Sequence, residues 1–340
     1  MSLHLEYPSD SQFSLEEEKP SMLDFLQTLT SCPDLKYLMV SGVIQGLEPA
    51  GDTSYLHLNL RLSLLKLHKL VTWNDYSIDA VYLLTCISTS PFSMIEVHVN
   101  FTTVDFDGIM EPISTALPIE SDRSEMSIFS AVQNLELEFY TDRLVVQAAG
   151  INATPSLSIS FWDLDGYDVH RHIVPVLGKV SELFPVSHVQ SLKIVDDTRD
   201  FEPVGDVIEP SWWGSMHHFQ SFRRLHIVSS QEYAIQGVFQ AMDLSSASTA
   251  DSNRLICPNL KVINLDTSFQ LEDVMFEEMV SIIQHRASLG SRLKRFKVIN
   301  DINCAPPDGD NWEKLKENVG DLDYIRIILP QVLEGHVLKL

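Results

Sequence analysis

Two histidine pairs have the residue types and spacing to do chemistry. Asp168-Val-His170-Arg-His172 is a His-x-His pair, and His217-His218 is a second. Residues two apart on a strand share a face, so His170 and His172 could reach one metal ion; with a carboxylate added they would suit a metal-dependent hydrolase. Spacing fixes no third ligand, and Arg171 between them would repel a cation, so a solvated loop or helix start is the plainer reading. Asp308-Gly-Asp310-Asn311 has some features of a calcium loop, but Trp312 stands at the next alternate position and the glycine is misplaced. It reads as a turn capping a helix over 312–318. Asp163 and Asp165 beside Gly166 read as turn residues. The sequence holds no Gly-x-Ser-x-Gly, phosphate-cradling glycine loop, dinucleotide fingerprint or His-Glu-x-x-His. The expectation is a protein with no catalytic residues, no metal and no cofactor.

Four cysteines (Cys32, Cys86, Cys257, Cys304) lie far apart and form no Cys-x-x-Cys pair. Cys32-Pro33 and Cys257-Pro258 precede strand-like phrases, so they are expected to be small buried residues where a helix ends, not a disulfide or zinc site. The net charge of −23 repels phosphate backbones and argues against a nucleic-acid partner. No apolar run approaches a membrane span, and Met1-Ser-Leu-His-Leu-Glu lacks a leader pattern. The chain is therefore expected in the cytoplasm or nucleus, away from membranes.

The elements that must position any site are set by one recurring phrase: apolar, two variable, apolar, one variable, apolar. It reads Leu35-Lys-Tyr-Leu38-Met-Val40, Val132-Gln-Asn-Leu135-Glu-Leu137, Val189-Gln-Ser-Leu192-Lys-Ile194 and Phe222-Arg-Arg-Leu225-His-Ile227. It returns as Leu260-Lys-Val-Ile263-Asn-Leu265 and Leu293-Lys-Arg-Phe296-Lys-Val298, with a looser copy at Leu67-His-Lys-Leu70-Val-Thr72. This is the strand half of a leucine-rich repeat. Further strands are predicted at 55–62, 95–99, 157–161 and 324–329.

Between the phrases, apolar residues follow helical spacing. Met22, Leu23, Leu26 and Leu29 form one stripe, and Ile78, Val81, Tyr82 and Leu84 a second. Ile173, Val176, Leu177, Val180 and Phe184 follow; then Ile235, Val238, Phe239 and Met242; then Val274, Met279, Ile282 and Ile283. Capping-box spacing joins Ser229 to Glu232 and Thr267 to Gln270. Loops are predicted over 102–127, 196–215 and 243–253. Central strand residues recur after 33, 38 and 33 positions from Leu192 to Phe296, longer than an ordinary leucine-rich repeat, which leaves room for full helices.

The predicted fold is α/β: a leucine-rich-repeat solenoid, or horseshoe, with a parallel β-sheet on the concave side and helices on the convex side. Residues 1–20 read as a polar N-terminal lead-in and residues 21–340 as the repeat domain.

Ser31-Cys-Pro-Asp-Leu-Lys-Tyr-Leu38, Ile256-Cys-Pro-Asn-Leu-Lys-Val-Ile263 and Phe184-Pro185 resemble the repeat region of F-box-like proteins from mushroom-forming fungi. So does Ile282-Ile-Gln-His-Arg286 followed by Ser291-Arg-Leu-Lys-Arg-Phe-Lys-Val298. The resemblance covers roughly residues 20 to 300 as a style of repeat. It implies the substrate-recognition part of an F-box-type ubiquitin-ligase receptor. The family's F-box, which docks the adaptor Skp1, has no counterpart here: Leu117-Pro118-Ile119-Glu120 matches its opening only superficially. A Skp1-docking subunit in the strict sense, the hydrolase above, and a diverged copy with little retained function stay open as alternatives.

Third and fifth positions of the phrase face away from the core, onto the concave surface of a horseshoe. In the copies above they hold Lys69, Lys193, Arg224, His226, Arg295 and Lys297, with Glu136 as the only acid. Lys36, Arg223, Lys261 and Lys294 stand at the second position. The expectation is a non-catalytic, protein-binding scaffold whose basic strip takes an acidic or phosphorylated segment of a partner. The plainer reading is that Lys and Arg stems cover apolar neighbours.

Overall fold

The computed structural model describes residues 1–6, 22–41, 62–74, 77–90, 92–100, 117, 126–152, 156–162, 173–184, 188–197, 216, 219–242, 255–269, 271–300 and 309–326. Among these the elements run β1 (Ser2–Glu6), α1 (Met22–Thr30), β2 (Tyr37–Ser41), β3 (Leu62–Leu64), β4 (Lys69–Asn74), α2 (Ser77–Cys86) and β5 (Ile87–Thr89). Next come β6 (Met94–Asn100), α3 (Ser127–Ser130), β7 (Asn134–Tyr140), β8 (Arg143–Ala149), β9 (Ser156–Trp162), α4 (Ile173–Leu183) and β10 (Ser191–Asp197). The remainder is β11 (Arg224–Ser229), α5 (Glu232–Met242), β12 (Val262–Thr267), α6 (Asp273–Ser288), β13 (Leu293–Asn300), α7 (Gly309–Asn318) and β14 (Val319–Arg326).

Every phrase forms a strand, and the strands share one register. The 12-stranded sheet has the order β1-β2-β4-β6-β9-β8-β7-β10-β11-β12-β13-β14 and is not closed; β3 and β5 form a separate two-stranded sheet. Leu38, Leu70, Ile95, Leu157, Ala148, Leu135, Leu192, Leu225, Ile263 and Phe296 stand opposite one another along a single buried row. Period-two alternation places them all on the same face. There they join Leu26, Leu29, Val176, Val180, Ile235, Phe239, Met279 and Ile283 of the helices in one hydrophobic core. Burying such side chains is the main favourable term for the fold, about 1.5–3 kcal/mol each.

The lead-ins have a shared geometry too. The N–H of Leu35 donates to Cys32 O (3.1 Å), that of Leu67 to Leu64 O (2.9 Å), and that of Leu260 to Cys257 O (3.0 Å). One carbonyl then accepts from two consecutive N–H groups of the next strand. Arg223 and Arg224 donate to Gln190 O, Lys261 and Val262 to Arg223 O, and Lys294 and Arg295 to Lys261 O. At the start of the last strand the spacing is tight: a Cβ on Gly320 would lie 2.8 Å from Lys294 O.

The turn before β12 is locked from behind. Cys257 has φ 48°, a left-handed conformation that side chains other than glycine seldom adopt. Arg286 of α6 is 1% exposed; its Nη1 donates to Ile256 O (2.7 Å) and its Nη2 to Cys257 O (2.8 Å). Two charge-assisted bonds hold the turn and satisfy both carbonyls. Burial lowers the Arg286 pKa and pushes the Cys257 thiol up to about 12. Cys32, Cys86 and Cys257 are all free thiols.

Several expectations need correction. The sheet is not wholly parallel, because β8 runs antiparallel to both β7 and β9. Only Thr141 and Asp142 separate β7 from β8, too few for a crossover, so the chain must turn straight back. The polar lead-in is also more than that: Ser2–Glu6 pairs in parallel with β2 as an edge strand. Asp196 and Asp197, expected in a loop, belong to β10. Val274 is 76% exposed, and the buried stripe of α6 runs through Met275, Phe276, Met279, Ile282 and Ile283 instead.

The Ser229 hydroxyl accepts the Gln231 N–H (3.0 Å) just ahead of α5. Thr267 lies too far from α6, whose N-cap is Glu272, and donates to Phe269 O instead (3.3 Å). Among the described residues no helix is long and apolar enough to cross a membrane. The strand predicted at 55–62 is described only at Leu62, and the loop over 243–253 lies outside the described residues.

Candidate functional site

The face of the sheet turned away from the core carries the side chains that alternate with the buried rows. All six residues of the expected strip, Lys69, Lys193, Arg224, His226, Arg295 and Lys297, stand on it. Neighbouring strands bring acids to four of them. Lys69 Nζ lies 2.8 Å from Glu96, and Lys193 pairs with Glu136 directly opposite. His226 Nε2 lies 2.9 Å from Asp266, and Arg295 bonds Asp323 through Nε (3.1 Å) with Asp321 at 3.8 Å. Such exposed pairs contribute about 0–1 kcal/mol each. For Lys69, Lys193 and Arg295 the larger effect is to cancel charge locally. Arg224 and Lys297 pair with no acid among the described residues.

Around Arg224 the face dips into a pocket of about 300 Å³, walled by Asn134, Glu136, Gln147, Lys193, His226 and Asn264. The pocket opens where β8 and β7 meet β10 and β11. Short and neutral side chains (Ala149 on β8, Ser191 on β10, Asn264 on β12) leave room beside the longer Lys193 and Arg224. Its lining mixes polar groups with the apolar surface of Leu135, Ala149 and Leu225, with the Lys193–Glu136 pair and the Arg224 guanidinium at its wall.

A second feature escaped the reading of the strand phrases. At the opposite ends of β4, β6 and β9, Trp73 stacks on His98 with ring centroids 3.9 Å apart, and Trp162 lies 6.1 Å from Trp73. The Trp162 N–H donates to His98 Nδ1 at 3.5 Å, which leaves the neutral ring's proton on Nε2. Burial holds the His98 pKa below its ordinary value. Arg143 continues the cluster, its guanidinium 4.2 Å from the Tyr140 ring centroid and 5.0 Å from that of Trp162. The Tyr140 hydroxyl donates to Glu138 (2.8 Å), and burial raises its pKa. The available signal was phase: Trp73 is in step with Lys69, and Trp162 with Ser156, so both had to share the outward face.

His170, His172, His217, His218, Asp163 and Asp165 lie outside the described residues. Among the described residues no group of three or more His, Cys, Asp or Glu could hold a metal ion. Asp310 lies in the first turn of α7, which starts at Gly309. No family model matches the chain, and no curated protein matches it.

Proposed function

We propose that the chain is a non-catalytic leucine-rich-repeat scaffold that binds another protein on the outward face of its sheet. In this reading the helix–strand modules are repeats, and the resemblance to the recognition part of F-box-type ubiquitin-ligase receptors gives the kind of work they do. The observation that carries it is the single in-register row from Leu38 to Phe296. That row fixes one face as core and presents the other as a continuous, side-chain-rich surface. The recurring lead-in turns support the same reading. The partner bears acidic or phosphorylated residues, and the contacts that select them are Arg224 and Lys297, the two strip cations with no acid beside them among the described residues.

Affinity capture followed by mass spectrometry tests this. The wild-type chain should retain a reproducible client that the Arg224→Glu/Lys297→Glu variant loses, with thermal unfolding nearly unchanged. Retention of that client by the variant would remove the reading.

A further inference from the structure

The outward face carries two unlike features, and their chemistry and separation describe one ligand. Near Arg224, Lys193 pairs with Glu136 and His226 Nε2 bonds Asp266, and the Arg224 guanidinium, beside the pocket, pairs with no acid among the described residues. A lone guanidinium fork beside amides suits the two oxygens of a single carboxylate better than a doubly charged phosphate. At Trp73 and Trp162 two polar hydrogens are committed within the cluster, Trp162 to His98 and Tyr140 to Glu138. The exposed part of the cluster includes ring surface, with Trp73 38% exposed. The Arg143 guanidinium over Tyr140 and Trp162 opposes a cationic guest. That leaves an apolar ring as the matching group, since proline-bearing segments dock on aromatic surfaces at low entropic cost.

The sheet sets the distance. From His98 on β6 to Arg224 on β11 is five strand spacings across and four residues along, about 27 Å, which an extended segment covers in roughly eight residues. The path crosses Ser158, Gln147 and Glu136, polar side chains suited to bonding a peptide backbone.

We propose that the face takes an extended peptide with an apolar ring, proline or aromatic, at one end and an Asp or Glu about eight residues away. This rests on the binding reading above and names the partner's chemistry.

The probe is a displayed library of random 12-residue peptides, selected on the full chain. Enriched peptides should pair Pro, Phe, Tyr or Trp with Asp or Glu at a spacing of seven to nine. Arg224→Glu should lose the acidic preference and bind those peptides at least tenfold more weakly. Trp73→Ala should lose the ring preference while keeping the acidic one, and Trp73→Phe should restore it. Circular dichroism and thermal unfolding establish that each variant is folded. No enrichment, or the same preferences in Arg224→Glu and Trp73→Ala as in wild type, overturns the proposal. Peptides that lack this spacing yet are lost in Arg224→Glu/Lys297→Glu overturn only the ligand, whereas peptides bound equally by that double variant count against the face itself.

Discussion

Strands β10–β14 and the meander β7–β9 lie in one sheet but are connected by different rules. From β10 onward each described strand pairs in parallel with its successor in the chain, and α5, α6 and α7 lie between successive strands. In the meander a two-residue link reverses the chain, and β9 rather than β7 lies beside β6. The buried row runs through both regions unbroken, but it holds Leu192, Leu225, Ile263 and Phe296 in one and Leu135, Leu157 and the small Ala148 in the other. Link length therefore decides strand direction, while alternation decides the face, and the two are independent. The outward face inherits the difference. Acid–base pairs and a pocket border the regular half, and the aromatic cluster stands over the meander and its neighbours.

The largest expected effect breaks the row where it is bulkiest. Phe296→Ala should cost about 3–5 kcal/mol in urea unfolding, whereas Ala148→Leu, an overpacking change at the same row, should cost about 1–3 kcal/mol. Equal costs would mean the two regions do not differ in packing.

Next in size is the lock before β12. Arg286→Met leaves Ile256 O and Cys257 O without donors and should destabilise by about 3 kcal/mol. Adding Cys257→Gly should return part of that loss by relieving the left-handed turn. No recovery in the double variant would show that the φ of Cys257 carries no strain.

The smallest effect belongs to the aromatic cluster. Unfolded His98 takes up a proton near pH 6.5, but burial requires a lower pH in the folded chain. Between those two values the unfolded state binds more protons, so stability falls as pH drops through about 6.5 and levels off below the folded value. His98→Phe should lack this component: between pH 7.5 and 5.0 its unfolding midpoint should fall less than that of wild type. Parallel pH profiles would place His98 in water rather than in the stack.

The core row and the helices were legible because each needs only local apolar spacing. Leu38, Leu70, Leu135, Leu192, Leu225, Ile263 and Phe296 could be aligned by phrase, and the five apolar stripes fell on helices apart from Phe184, which follows α4, and Val274, which faces outward. Strand β8 was not, because Leu144-Val-Val-Gln-Ala-Ala has neither the phrase nor clean alternation. Its neighbours supply the register. The six cations of the strip were placed correctly on the outward face, but Glu96, Asp266, Asp321 and Asp323 sit on strands or positions outside the phrase. Charge cancellation is a cross-strand property, and no single segment reveals it. Ser2–Glu6 was hidden for another reason: an edge strand of five residues has too short a pattern to stand out from a polar terminus.

The reversed meander also limits how this molecule can change length. Among the described strands after β10, excising or duplicating a whole helix–strand unit would leave a seam between like surfaces. Across β6 to β10 the same cut would orphan two partners at once, because β6 leans on a strand made later in the chain and β10 on one made earlier. Growth and shrinkage over generations should therefore concentrate toward the C-terminal rows, with the middle inherited as one indivisible block.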